Sequence, residues 1–143
     1  MKEPINLEFL LERIPHRGPM LLLDEVISAS EEQIETQVTI GKDFILLDDD
    51  GLVPPLSAIE FFAQSAAALM VFRAAGGQVP FATGALLGAR KLEVAGSPYR
   101  VGDTLRTVAK EVWGAGKMAQ FDCRLLRDGA EVATGSITVA ANV

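Results

Sequence analysis

Glu60 is the residue with the most chemistry to offer in this chain of 143 residues. It stands in the run Pro54-Pro55-Leu56-Ser57-Ala58-Ile59-Glu60-Phe61-Phe62-Ala63-Gln64, and apolar residues continue nearly to Gly76-Gly77. A carboxyl in such company can give or take a proton, or direct a water molecule. Gln64 follows one helical turn later on the same face, where its amide can orient the carboxyl or hold a hydroxyl. Ser57 precedes Glu60 and can donate to a carbonyl. Ser57-x-x-Glu60 also fits a capping box, in which both residues serve only the helix start. His16 is the sole histidine, and an imidazole is the side chain whose ordinary pKa lies near neutrality. It can remove a proton from carbon, or it can be a loop histidine bonded to backbone.

The elements that must position these groups follow from pattern. Proline opens the segment after Val53 and the Gly76-Gly77 pair closes it, the start and stop chemistry of a helix. A helix apolar on every face must be covered on every face. Glu60 is therefore expected to be a buried acid, costly unless paired or used. Leu7, Leu10, Leu11 and Ile14 have helical spacing, so 6–14 reads as a short helix stopped by Pro15. The apolar run 20–27 reads as a buried strand. Ile34, Thr36, Val38 and Ile40 alternate with polar residues, which reads as a half-buried strand. Residues 42–53 are irregular. Further strands are expected over 83–94, 103–113, 118–127 and 130–141, with Asp128-Gly129 as a hairpin turn. Gly84 and Gly88 in the first of these mark a bulge or a close backbone approach by a ligand. Strands in series around one long helix make an α+β domain over 1–143. A sheet that curls around the helix, the hotdog architecture, best satisfies the need for cover.

Composition limits the partners. The net charge of −6 without a basic run disfavours nucleic acid and anionic membrane. An acidic carrier protein would need a local basic patch, for which Arg13, Arg17, Arg90, Lys91 and Arg100 are available. The long helix could span a bilayer by length, but Glu60, Gln64 and Arg73 are expensive in lipid. The N-terminal residues lack a signal-peptide pattern, so a cytoplasmic protein is expected. One cysteine, Cys123, excludes an internal disulfide and a cysteine metal cluster, and its apolar strand face reads as core. Asp48-Asp49-Asp50-Gly51 lacks the spacing of a calcium loop, and no metal is expected.

The segment Ile14-Pro15-His16-Arg17-Gly18-Pro19-Met20-Leu21-Leu22-Leu23-Asp24 resembles the opening of the 3-hydroxyacyl-ACP dehydratases of fatty acid synthesis. Ile59-Glu60-Phe61-Phe62-Ala63-Gln64 is similar to their helix motif, which carries a catalytic acid. With Leu86-Leu87-Gly88-Ala89-Arg90, the likeness is stronger to the divergent branch associated with aryl-polyene-type clusters. The resemblance covers most of the chain. It implies syn loss of water from a 3-hydroxyacyl thioester on an acyl carrier protein or CoA, without metal or redox cofactor. Glu60 would protonate or orient the leaving hydroxyl, and His16 would take the α-proton. Ser57 and Gln64 would contact substrate. An apolar tunnel along the helix would be lined by Phe61, Phe62 and Leu86, near Gly88. A two-fold dimer is implied, either of like chains or with another hotdog protein.

Two departures from that family bear on the chemistry. Its Gly-His-Phe-Pro motif is absent, and the place of that histidine, counted back without gaps from Glu60, is Leu46. The family's glycine N–H at the helix mouth aligns with Pro55, which has no N–H. These departures leave two alternatives open. One is a thioesterase on the same fold, in which Glu60 and Gln64 direct water at the thioester. The other is a non-catalytic acyl-binding or partner subunit.

Overall fold

The structure is a computed structural model that describes residues 10–14, 18–75, 83–115 and 118–142. One six-stranded antiparallel sheet wraps a single long helix. The sheet strands are β1 (Glu25–Ala29), β2 (Gln33–Thr39), β4 (Thr83–Val94), β6 (Thr104–Ala115), β7 (Met118–Arg127) and β8 (Ala130–Asn142). Their spatial order is β1-β2-β6-β7-β8-β4, which leaves β1 and β4 as edges. A short helix α1 (Leu10–Arg13) precedes the sheet, and the central helix α2 spans Ala58–Ala75. A two-strand ribbon pairs β3 (Leu52–Val53) with β5 (Tyr99–Arg100).

Alternation places the core. In β2, Ile34, Thr36 and Val38 are buried while their neighbours are partly or fully exposed. In β7, Phe121, Cys123 and Leu125 are buried, and across the ladder they meet Ile137, Gly135 and Ala133 of β8. Gly135 has a packing reason. A Cβ there would lie 3.2 Å from a Leu92 methyl, tighter than an ordinary contact, so its absence lets Leu92 settle against the sheet. The β7–β8 turn is Asp128-Gly129, and both residues have positive φ (51° and 85°), the conformation a two-residue hairpin requires.

The strand boundaries at 83–94 and 118–127 coincide with those expected from the pattern, and a register shift falls between Leu86 and Gly88 as the glycines suggested. The expected buried strand at 20–27 is corrected. Residues 18–20 form a 3₁₀ turn with Met20 exposed, Leu22 and Leu23 are buried without regular structure, and β1 starts only at Glu25. β1 is an edge strand whose five residues are exposed or half-buried. Apolar content alone did not distinguish a buried strand from a segment anchored by two leucines. The expected helix over 6–14 lies partly outside the described residues, with α1 as its visible end.

α2 passes the length and hydropathy test for a membrane span over Pro55–Arg73, yet half of that window is buried within the protein. It is the core helix of the domain. Its last turn carries Arg73, which pairs with Glu111 of β6. A buried polar tie fastens the helix middle to the sheet. Ser65 Oγ donates to the Phe61 carbonyl at 2.8 Å and receives the Thr36 hydroxyl at 2.8 Å.

Burial has a consequence for pH. The Cys123 thiol is pushed up to about 12, first by burial and then by the Asp122 carboxylate. Burial also raises the Tyr99 phenol, against the opposing pull of Arg127. Both groups hold their proton more tightly folded than unfolded. The stability they contribute is complete below the unfolded thiol value of 9.0 and declines as pH rises towards 12. One such thiol costs about 1.4 kcal/mol per pH unit in that window. Urea midpoints measured from pH 8 to 11 should fall above pH 9, and Cys123→Ala should flatten the fall. A midpoint independent of pH across that range would contradict the buried-thiol account.

Candidate active site

The helix start is built from proline geometry. Pro54 has extended backbone (φ −59°, ψ 140°), Pro55–Ser57 form a 3₁₀ turn, and α2 continues from Ala58. No side chain caps the 3₁₀ turn at Pro54, and the Ser57 amide, which a capping box would give to Glu60, is bonded elsewhere. The Ser57 amide donates to the Pro54 carbonyl at 3.0 Å, which closes the turn without a side-chain acceptor. The Ser57 side chain is half-buried. Glu60 lies in the first turn of α2, where a carboxylate complements the positive end of the helix.

The expectation that Glu60 is buried is overturned. It is exposed, and the reason is its position on the helix. The sheet covers the face carrying Phe61, Phe62, Ser65, Ala66, Ala68 and Leu69, all buried. The opposite stripe recurs every three or four residues as Leu56, Ile59, Glu60, Ala63, Ala67 and Met70, and each of these is exposed or half-buried. An acid on that stripe needs no internal partner. The same geometry corrects the proposed tunnel lining. Phe61 and Phe62 are fully buried, and the Phe61 ring stacks on Phe44 with centroids 6.2 Å apart. Both belong to the hydrophobic core and neither lines an accessible surface of this chain. Leu86, in contrast, is 42% exposed on the edge strand β4, and Gly88 beside it is exposed with open space where a Cβ would stand.

Gln64 is buried, and its amide is used within the chain. Its Oε1 accepts the Leu22 amide at 2.9 Å, and its Nε2 donates to the Met20 carbonyl at 2.8 Å. Both ends of the side chain therefore staple the 20–22 segment to α2, one turn from Glu60. The pattern Glu60-x-x-x-Gln64 drew attention to this glutamine but not to this partner. An amide placed at a helix face that also buries backbone is the signal, because such backbone needs donors and acceptors. His16 lies outside the described residues.

A cleft of about 320 Å³ opens between the 19–24 segment and the loop 41–45, with Asp24, Thr39, Lys42 and Asp43 among its lining. Asp24 is already engaged there, accepting the Thr39 amide at 2.8 Å. Glu60 does not line this cleft. The described part of one chain thus presents its candidate acid on an open surface.

The Gln64 staple can be weighed directly. Gln64→Leu would leave the buried Leu22 amide and the partly buried Met20 carbonyl without partners, the first costing about 1–3 kcal/mol and the second less. Urea unfolding should show a loss of roughly 2–4 kcal/mol. A loss below about 0.5 kcal/mol, the ordinary range of a surface change, would mean that the staple contributes little.

Comparison with known proteins identifies the fold and the family. A 3-hydroxyacyl-[acyl-carrier-protein] dehydratase FabZ from Streptococcus thermophilus is 30% identical over 141 residues, covering 95% of this chain and 96% of that protein. The dehydratase heterocomplex ApeI:P from Xenorhabdus doucetiae superposes with a TM-score of 0.87 at 25% identity, covering 93% of this chain and 91% of that one. A hypothetical thioesterase with coenzyme A from Streptococcus pneumoniae superposes with a TM-score of 0.64 at 11% identity over 82% of this chain and 84% of that one, a likeness of fold alone. Residues 10–142 match the family described as ApeP-like, ApeP dehydratase. The chain is thus a hotdog-fold protein and belongs to the ApeP-like dehydratase family.

Proposed function

We propose that this chain dehydrates a 3-hydroxyacyl thioester borne on an acyl carrier protein, with Glu60 as the reacting carboxyl. The observation that supports the assignment is the position of Glu60, exposed in the first turn of a helix that is mostly buried among the described residues. A base removes the α-proton, and its electron pair forms the Cα–Cβ double bond. The Cβ–O bond breaks, the hydroxyl takes a proton from Glu60, and water and a trans-2-enoyl thioester leave. His16 is the base in this reading, as the one imidazole of the chain. Ser57 has a side-chain hydroxyl at the helix mouth, where Pro55 offers no N–H, and it donates to the thioester carbonyl. Gln64 serves by holding the 20–22 segment against α2 rather than by touching substrate. Leu86 and Gly88 border the acyl chain from the β4 edge.

The site is completed by a second hotdog chain laid along the α2 stripe and the β4 edge. Exposed apolar residues on the stripe and an unpaired twelve-residue edge strand are liabilities in water that a partner removes. The heterocomplex named for the Xenorhabdus doucetiae protein supports a different hotdog chain as that partner, alongside pairing of like chains. If the partner differs, it can also bring the base. The protein acts in the cytoplasm, where carrier-bound acyl chains are extended.

Assembly and chemistry are separately testable. Light scattering of the purified chain should give twice the 15.3 kDa of one chain, or that mass on mixing with its hotdog partner. A mass of one chain under both conditions would contradict the assembly. Glu60→Gln keeps shape and removes the transferable proton, and it should lower the dehydration rate roughly 10²–10⁴-fold with unchanged melting. A rate equal to the parent's would remove Glu60 from the mechanism. Release of free thiol in place of enoyl product would favour the thioesterase reading. Loss of activity in His16→Ala as well identifies the base within the chain, and retention assigns it to the partner.

A further inference from the structure

The loop that leads to the helix mouth is fastened at both ends to one turn. Its near end is Ile40, whose amide donates to the Asp103 carbonyl at 2.9 Å and whose carbonyl accepts the Gly102 amide at 2.8 Å. Its far end is Leu52–Val53, which pairs with Arg100 and Tyr99. Both anchors therefore lie in the 97–103 turn. Between them run residues 41–51, and directly after Val53 come Pro54, Pro55 and the first turn of α2. The 97–103 turn is thus one anchor of the chain that leads into α2.

That turn is in turn held by one side chain. Arg127, at the end of β7, donates from Nη1 to the carbonyls of Ser97 and Pro98 at 3.2 and 3.1 Å. Its guanidinium lies over the Tyr99 ring, 5.4 Å from the centroid. The same nitrogen is 3.6 Å from Asp103 Oδ2, and both side chains are largely shielded, at 19% and 22% exposure. Asp103 Oδ2 also accepts the Arg100 amide at 2.9 Å, so the ion pair closes the turn on itself. Gly96 beside the guanidinium has φ +83°, a left-handed backbone that favours glycine. A planar fork that donates to two carbonyls, pairs with a carboxylate and stacks on a ring at once is a task for arginine and not for lysine.

We propose that Arg127 is a positioning residue for the reaction. Through the 97–103 turn it fixes both ends of the 41–51 loop and the first turn of α2, and so the place of Glu60. The inference rests on the reading of Glu60 as the reacting carboxyl. It concerns a residue on the far hairpin, bonded to neither the helix nor the loop it governs. Tyr99 contributes its ring, not its hydroxyl, which is buried without a hydrogen-bond partner among the described residues.

The test is Arg127→Lys in the full chain, with its hotdog partner where one is needed for activity. Amide exchange should accelerate about tenfold or more at Ile40 and Gly102 while β7 and β8 amides such as Leu125 and Ala133 keep their protection. The turnover number for dehydration should fall about tenfold, with KM nearly unchanged, because a displaced acid affects the reacting step more than binding. Arg124→Lys, on an exposed ion pair with Glu131, should change neither reading. Unchanged exchange at Ile40 and Gly102 would overturn the proposal. So would equal acceleration at every amide, which is plain loss of stability. If Arg127→Lys does not fold, Asp103→Asn weakens the same clamp and must give the same local pattern. A parent chain and partner without dehydratase activity would end the reading of Glu60, and local exchange would still decide the clamp.

Discussion

An eighteen-residue helix without a polar face cannot stand in water, and this need for cover organises the whole molecule. Six strands curl around α2 and supply most of it. A curved sheet cannot enclose a cylinder completely while its edges stay apart, so one stripe of the helix is left over. Glu60 lies on that stripe, at the helix end where the backbone dipole favours a carboxylate. The position of the acid is thus a result of how the hydrophobic face is divided between sheet and remainder. Burial of Glu60 under the sheet would have required a partner that the core, built from Phe61, Phe62, Leu69 and their neighbours, does not contain.

Few polar groups enter the core; Gln64, Thr36 and Ser65 are joined, while the Tyr99 hydroxyl has no partner among the described residues. Gln64 spends both ends of its amide on the 20–22 backbone. Thr36 and Ser65 satisfy each other between sheet and helix. A buried amide or hydroxyl is costly alone, so each such pair admits little slack in where its two segments lie. These ties act as fixed distances between the helix and the segments flanking it. Arg127 makes a third kind of tie at the surface, holding a turn instead of a core element. Together they locate the helix mouth from three directions: the 20–22 segment, β2 and the 97–103 turn.

The fold was legible because period-two patterns and turn residues are local. Ile34-Thr36-Val38, Phe121-Cys123-Leu125 and Asp128-Gly129 each carry their own structural instruction, and the strands came out where those residues place them. The hotdog form and the role of the helix acid rested on family resemblance as well. The β3–β5 ribbon was not legible, since two-residue strands have no period and their pairing joins positions far apart in the chain. The side of α2 that faces the sheet was not legible either. A helix with apolar residues all around gives no moment to read, so Phe61 and Phe62 could be assigned to an open wall when they belong to the core. The partner of Gln64 was hidden for a related reason, because backbone groups that need a donor leave no mark in the residue code.

The departures from the dehydratase pattern fall at places that the fold tolerates for physical reasons. Pro55 is compatible with a 3₁₀ turn that needs no N–H at that position, and it stiffens the entry to α2. Leu46 packs partly against the core, in a loop where Phe44 also stacks on Phe61. A histidine in that place would be a polar ring set among apolar neighbours. The loop packs on the core through Phe44 and Leu46 while its ends are pinned at Ile40 and Val53. The acid, the helix mouth and the free β4 edge are all displayed on surfaces that a second hotdog chain can reach. The constraint that leaves one helix stripe uncovered thus also leaves that stripe open to a second chain.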